Sequence, residues 1–305
     1  MFEHVLVPLD GSELAEMALP AAVSIARRRA GRVTLLHLVE SEAPAQVHGQ
    51  RHLRAEGEAT AYLAAIAARW AGGGVPMQLH VDTARSADVA GGIALHVREL
   101  NPDIVVLSRH GRAGMRGLLH GSVAQQVVAL ESVPVLLIRA QPGGMRTPDA
   151  EFACRRVLIP RDADPAHSPA MAAGLALARL YQSEVRLLSV VPTRGTLAGS
   201  QQIAGNLLPG MTAAMLDAEH DEAASHLRVH LQEMGAGAVP VSAAVSRGEP
   251  AREIERAAKA FEADVIVLAT HGRAGTNAFW HNSTAARVCR RSTAAVLLVP
   301  VRAAT

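Results

Sequence analysis

One five-residue word occurs twice in the chain, each time in the same setting. His110-Gly111-Arg112-Ala113-Gly114 and His271-Gly272-Arg273-Ala274-Gly275 are identical and lie 161 positions apart. The first follows the apolar run Ile104-Val105-Val106-Leu107, the second the run Val265-Ile266-Val267-Leu268. Each leads on to a hydroxyl residue, Ser122 or Ser283, placed where a helix cap belongs. Behind each cap, apolar residues recur at helical spacing, Val123, Val127 and Leu130 in the first copy. A buried strand, a glycine-rich loop and a helix N-terminus are therefore written twice. Unrelated stretches have no reason to share such a word in such a frame, so the chain must fold as two copies of one domain. A period this long is a duplication, not a solenoid.

The rest of the chain fits that frame. His4 to Pro8 is a short strand ending in the turn Leu9-Asp10-Gly11-Ser12, and residues 13–29 read as a helix that Pro20 kinks. Arg32 to Val39 is a second strand, residues 50–71 a second helix, and Val75 to Val81 a third strand. The alternation of that third strand and its Pro76 suit a sheet edge. Ser86 to Leu100 is a third helix, and Pro134 to Ile138 closes the first copy as a fifth strand. The second copy repeats this order, with strands at 156–160, 184–190, 239–241, 263–268 and 295–299. Its first strand is offset from its counterpart by 152 positions and its last by 161, so nine extra residues lie between, and the loop 192–210 is their natural host. Strand and helix in strict alternation imply an α/β fold with a parallel sheet and helices on both faces. The expected organisation is a domain over 1–140, a Gly- and Pro-rich linker over 141–153, and a second domain over 154–305.

Composition narrows the function. Half of the residues are hydrophobic (49%), few are aromatic (3%), and the formal charge is only +2, so neither a stacking surface nor a cationic footprint for nucleic acid is present. Lys259 is the sole lysine, which excludes a phosphate loop of the Gly-x-x-x-x-Gly-Lys type. Cys154 and Cys289 have no metal-ligand spacing. His48 and His52 stand four apart with no third ligand evident, and read as surface histidines of a helix. No metal site and no catalytic set is assigned. With no apolar run of about eighteen residues and no leader-like start, a cytoplasmic protein with no membrane partner is expected.

The chemistry is expected at the strand ends. In an open doubly wound sheet, ligands bind beyond the carboxyl ends of the strands, where strand order reverses. Two ends are prepared for this: the first, with Pro8, Leu9 and Asp10, and the fourth, with the glycine-rich loop. Glycines let main-chain N–H groups reach a phosphate, and the helix N-terminus behind them favours an anion. Phosphates would lie over Gly111, Gly121 and Ser122, and Asp10 would face a sugar hydroxyl or a metal. His110 and His271 suit either acid–base work or a donor role that fixes the loop.

Taken together, Val7-Pro8-Leu9-Asp10-Gly11-Ser12, Leu35-Leu36-His37-Leu38, and His110-Gly111-Arg112-Ala113-Gly114 followed by Gly121-Ser122 resemble the universal stress protein family, twice over and along nearly the whole chain. The resemblance implies two doubly wound domains, each a five-stranded parallel sheet of order 3-2-1-4-5, paired through their fifth strands as an intramolecular pseudo-dimer, and leaves a homodimer open. It implies an adenine nucleotide, ATP or else ADP or AMP, with magnesium compatible on charge alone. Nucleotide-binding members carry Gly-x-x-Gly, nine residues, then Gly-Ser/Thr. On this chain those positions are Ser108, Gly111 and Gly121-Ser122, flanked by His110, Arg112 and Val123, with Pro8, Leu9 and Asp10 along the nucleotide and Leu38 at the adenine through its backbone. The matching set of the second copy is Pro160, Arg161, Asp162, Val190, Ala269, His271, Gly272, Arg273, Asn282, Ser283 and Thr284. There Ala269 and Asn282 replace two glycines of the pattern, and Ala163-Asp164-Pro165 replaces the Gly-Ser turn. The function expected is a nucleotide-dependent regulatory module of the stress response with a protein partner that the sequence does not name. A slow ATP hydrolase and a nucleotide-independent, chaperone-like protein are the competing readings.

Overall fold

The computed structural model describes residues 1–40, 46–47, 50–84, 88–109, 123–130, 133–140, 151–162, 167–197, 203, 207–234, 239–271 and 283–301. They fall into two compact units. One gathers Met1–Ala153 with Thr270–Trp280 and Ala295–Arg302, the other Cys154–Ala269 with His281–Ala294 and Ala303–Thr305.

The first unit is built on strands β1 (His4–Pro8), β2 (Arg32–Leu38), β5 (Met77–Asp82), β6 (Ile104–Arg109) and β7 (Val135–Arg139). They lie in the order β5-β2-β1-β6-β7, all parallel. Numbered within the repeat, this is 3-2-1-4-5, so the order reverses between β1 and β6. Val5, Leu6 and Val7 are fully buried, as are Ile104, Val105 and Val106, as expected of central strands covered on both faces. β5 is the half-exposed edge. On the other side of β7, the strand β12 (Ala295–Val301) pairs antiparallel, with Val296 opposite Leu137 and Leu298 opposite Val135. The fifth strand of each repeat is therefore hydrogen-bonded to the other.

Helices fill the crossovers. Pro20 does more than kink the first one: the segment divides into α1 (Glu13–Glu16) and α2 (Leu19–Arg28), with Pro20 in the first turn of the second piece, where a missing N–H costs nothing. The next helix, α3 (Glu56–Trp70), begins six residues later than its sequence suggests. Ahead of it lie two two-residue strands, β3 (Gln46–Val47) and β4 (Gln50–Arg51), paired antiparallel. The remaining helices of this unit are α4 (Val89–Leu100), capped by Asp88, and α5 (Val123–Leu130).

The second unit repeats the plan with β8 (Arg156–Pro160), β9 (Glu184–Val191), β10 (Val241–Arg247) and β11 (Val265–His271), in the parallel order β10-β9-β8-β11. Its helices are α6 (Ser168–Tyr181), α7 (Pro209–Met234), α8 (Pro250–Phe261) and α9 (Thr284–Arg291). One device sets the register of the central strands in both units. Asp103 Oδ2 accepts from the N–H groups of Glu3 and His4 at 2.8 and 3.0 Å, and Asp264 Oδ2 accepts from Arg155 and Arg156 at 2.7 and 3.0 Å. Each aspartate opens the fourth strand of its repeat and ties the start of the first, so the two carboxyl ends emerge side by side.

Candidate functional site

The rim at the reversal point is made by the chain leaving β1. Pro8 lies opposite Leu36, and Leu9 N donates to Leu36 O at 2.8 Å, which carries the β-ladder one residue past the strand. Asp10 then turns back on itself. Its Oδ1 accepts from Ser12 N at 2.9 Å and Ser12 Oγ at 2.6 Å, while Ser12 Oγ accepts from Ala15 N at 3.1 Å and so caps α1. Gly11 between them has φ +86°, a left-handed conformation that a side chain would strain. The Asp-Gly-Ser spelling is therefore explained: one carboxylate and one hydroxyl hold a tight turn just past the carboxyl end of β1.

Leu38 ends β2 with its side chain buried against α4, where a Cβ on Gly92 would lie 2.2 Å from Leu38 Cδ2. The side chain of Leu38 is thus taken up by packing. Ser108 and Arg109 end β6, half-buried, opposite Ile138 and Arg139 of β7. Val123 opens α5 and is exposed. His110, Gly111, Arg112, Gly121 and Ser122 lie outside the described residues. The structure thus brings Pro8, Leu9, Asp10 and Leu38 to one rim through the paired ends of β1 and β2, and β6 runs parallel to β1 toward the same edge.

A residue that the sequence reading used only as part of a motif belongs to this rim. His37 is 1% exposed, and its Nδ1 lies 2.7 Å from Leu9 O. A carbonyl only accepts, so Nδ1 carries the proton and the ring props the turn from beneath. Burial, the largest influence, holds the His37 pKa below its ordinary value, against the opposing pull of the Leu9 carbonyl and of Asp10. His52 is not a surface histidine of a helix. It is 2% exposed, lies ahead of α3, has its ring centroid 6.5 Å from that of His37, and places Nε2 3.2 Å from Glu40 Oε1. The signal for His37 was its place in an otherwise apolar inward-facing strand; His52 gave none.

The corresponding rim of the second unit differs in chemistry. Arg161 stands where Leu9 stands, keeps the main-chain bond to Leu188 O at 2.8 Å, and directs Nη1 toward Met171 Sδ at 3.7 Å. Asp162 Oδ1 lies 2.7 Å from Nδ1 of His167, a partner with no counterpart at Asp10 among the described residues, and residues 163–166 lie outside them. Pro160 ends β8, Val190 lies half-buried in β9, and Ala269 and His271 lie at the end of β11. Ser283 Oγ accepts from Ala286 N at 3.1 Å, so the cap read from the sequence is in place, with Thr284 opening α9. Gly272, Arg273 and Asn282 lie outside the described residues. Arg287, one turn into α9, pairs with Glu249 at 3.0 Å, which in turn caps α8.

Comparison with known proteins agrees with this architecture. The chain matches the universal stress protein family over residues 1–139 and again over 153–300. The chain belongs to that family. It is 26% identical over 151 residues to the universal stress protein YxiE of Bacillus subtilis, which is 46% of this chain and 100% of that protein. It is 31% identical over 137 residues to a universal stress protein of Mycobacterium tuberculosis, 44% of this chain and 45% of that one, so the match spans less than half of that relative. Among solved structures, a universal stress protein of Archaeoglobus fulgidus superposes with a TM-score of 0.68 over 98% of this chain and 96% of its own, at 16% identity. A Pseudomonas aeruginosa protein described as functionally unknown gives 0.65 over 98% and 93%, also at 16%. At that identity the likeness is one of fold. Two universal stress protein repeats in one chain, with their fifth strands paired, accord with a pseudo-dimer. Among the described residues no helix is long and apolar enough to cross a membrane.

Proposed function

We propose that this universal stress protein binds an adenine nucleotide, ATP or its products, at the rim of the first repeat and acts as a nucleotide-dependent module of the stress response. The observation that carries the reading is the preformed Asp10-Gly11-Ser12 turn, at the carboxyl end of β1, where the sheet order reverses. The hydrogen bonds from Ser12 hold that turn in shape, which suits a site whose phosphate grip comes from main-chain amides rather than a lysine. In this reading Pro8, Leu9 and Asp10 flank the sugar and Leu38 meets the base through its backbone. Ser108, Gly111, Gly121, Ser122 and Val123 supply the phosphate end, with His110 and Arg112 beside it. Magnesium, if it accompanies the phosphates, would answer their charge.

Turnover is the weaker reading. Hydrolysis needs a positioned water and a group to accept its proton, and Asp10 Oδ1 already accepts two hydrogen bonds within its own turn.

The test is calorimetric titration with ATP of the wild type and of Gly111→Val and Gly121→Val, each first checked for an unchanged circular dichroism spectrum. Loss of binding in both variants is expected. Unchanged affinity in folded variants rejects the site. Phosphate release measured alongside, with His110→Ala as the control, separates intrinsic hydrolysis from a contaminant.

A further inference from the structure

Residues 50–54 lie directly over the turn that the proposed function assigns to the nucleotide. Gln50 Oε1 accepts from Glu13 N at 2.5 Å, just past the helix cap. Leu53 packs on Gly11 so closely that a Cβ there would lie 2.9 Å from Leu53 Cγ. Between these two contacts His52 dips inward beside His37, both rings being almost wholly buried. Each ring is anchored at one nitrogen only, His37 Nδ1 at Leu9 O and His52 Nε2 at Glu40. The other nitrogen of each, His37 Nε2 and His52 Nδ1, is buried and makes no well-formed hydrogen bond among the described residues, although the Leu53 carbonyl stands close enough to His37 to favour its charged form. Unpaired polar atoms in a packed interior are rare and call for a reason.

We propose that residues 50–54 are a strap over the nucleotide turn, seated while His37 is uncharged and released when His37 takes up a proton. The proposal rests on the nucleotide reading for what the open turn admits, but not for the motion itself.

A neutral imidazole can leave a lone pair unpaired at modest cost, whereas a buried imidazolium carries a desolvation cost that the Leu53 carbonyl offsets only in part. The groups around His37 act in both directions. From the end of β1, Asp10 favours the charge, as does the Leu9 carbonyl; from the strap, the Leu53 carbonyl favours it and the His52 ring opposes it. Glu40, two residues past β2, is held by His52. Glu13 of α1 presents its N–H to Gln50, and Arg54 presents its own N–H to Glu58 of α3. Burial outweighs the favourable groups and keeps the His37 pKa below its ordinary 6.5. The sign follows: the seated form binds fewer protons, so seating is complete above about pH 6.5 and is lost as the pH falls. The second repeat has no such device, because Ser189 stands at the position of His37.

The test is amide hydrogen exchange of residues 50–54 in the full chain without nucleotide, at pH 7.5 and 5.5, corrected for intrinsic rates. Protection is expected to fall by up to about tenfold per pH unit in the wild type and to stay level in His37→Gln, whose amide can still donate to Leu9 O. Equal protection at both pH values overturns the proposal. So does tighter protection in acid, the result of one proton shared between the two rings. Should the variant not fold, an NMR titration of the wild-type His37 ring decides: a pKa at or above 6.5 overturns the proposal. A fluorescent ATP analogue is then added at both pH values, and its association is expected to quicken in acid only in the wild type. Absence of binding at either pH rejects the nucleotide reading alone, because the exchange result was obtained without ligand and judges the strap by itself.

Discussion

At the scale of single residues, two aspartates with the same job are spelled identically in the two repeats, and only the structure says what the job is. Asp103 and Asp264 each hold two main-chain N–H groups of the neighbouring first strand. Asp103→Ala should lower stability by about 1–2 kcal/mol, the range for charge-assisted bonds at a partly exposed site. Asp264→Ala should cost the same, and Asp103→Asn less because one acceptor oxygen remains. Urea midpoints of the three variants check this, and a midpoint unchanged in both alanine variants would show that the strands hold register without the carboxylates. Gly11 is the second such residue. Its φ of +86° and its contact with Leu53 together forbid a side chain. Gly11→Val should cost about 1–3 kcal/mol through the strained backbone alone, and should also raise hydrogen exchange in residues 50–54. The turn spelling itself was legible, since Asp, Gly and Ser each favour a turn for a local reason. The load that Leu53 places on it was not, because the contact joins residues 42 positions apart.

At the scale of elements, the periodic ones were legible and the irregular ones were not. Strands β1, β6, β8 and β11 stand out as runs of Val, Leu and Ile because both of their faces are buried. The edge strand β5 was recognisable from its alternation and its preceding proline. The start of α3 was not, for a physical reason. Ala55 at its N-cap makes no side-chain cap bond, so nothing in the spelling marks the boundary. The six residues before it look compatible with a helix, but Gln50, His52 and Leu53 have better partners on the Asp10 turn and in the pocket of His37. Tertiary contact overrode local pattern there. The packing of α4 on β2 gives a prediction at this scale. Gly92 admits α4 to within touching distance of Leu38. Gly92→Ala would force the helix or the side chain aside at an expected cost of about 1–3 kcal/mol. If the backbone of Leu38 meets adenine, the same variant should weaken ATP binding several-fold with its fold retained. Thermal unfolding and calorimetric titration on one preparation separate the two effects, and an unchanged affinity would remove Leu38 from the site.

At the scale of the whole molecule, duplication supplied two rims, and their chemistry has diverged where a ligand would be held. The first has Leu9, an Asp10 folded into its own turn, and His37 beneath it. The second has Arg161, an Asp162 engaged by His167, and Ser189. Along the loop proposed to hold phosphate, Ser108 and Gly121 of the first repeat become Ala269 and Asn282 in the second. Asparagine tolerates a left-handed backbone better than other residues with side chains, yet its amide would stand where a phosphate has to approach. Asp164, in the place of Ser12, adds a negative charge that the first repeat lacks. Every one of these changes acts against an anion held by bare amides, and none of them disturbs the strands, whose Asp264 tie and Ser283 cap remain in place. The second repeat is therefore expected to keep the fold without the nucleotide, so that one adenine nucleotide, not two, accompanies each chain. Native mass spectrometry at saturating ATP reads the ratio directly. Gly121→Val should reduce it from one to zero, whereas Asn282→Gly combined with Ala269→Gly should raise it toward two if the missing glycines are the main obstacle. A wild-type ratio of two would mean that Arg161 and Asn282 serve the ligand rather than exclude it. A ratio still at one in the double-glycine variant would shift the blame to the acidic sequence Asp162-Ala163-Asp164, and Asp164→Ser added to that variant would then be the change that admits the second nucleotide.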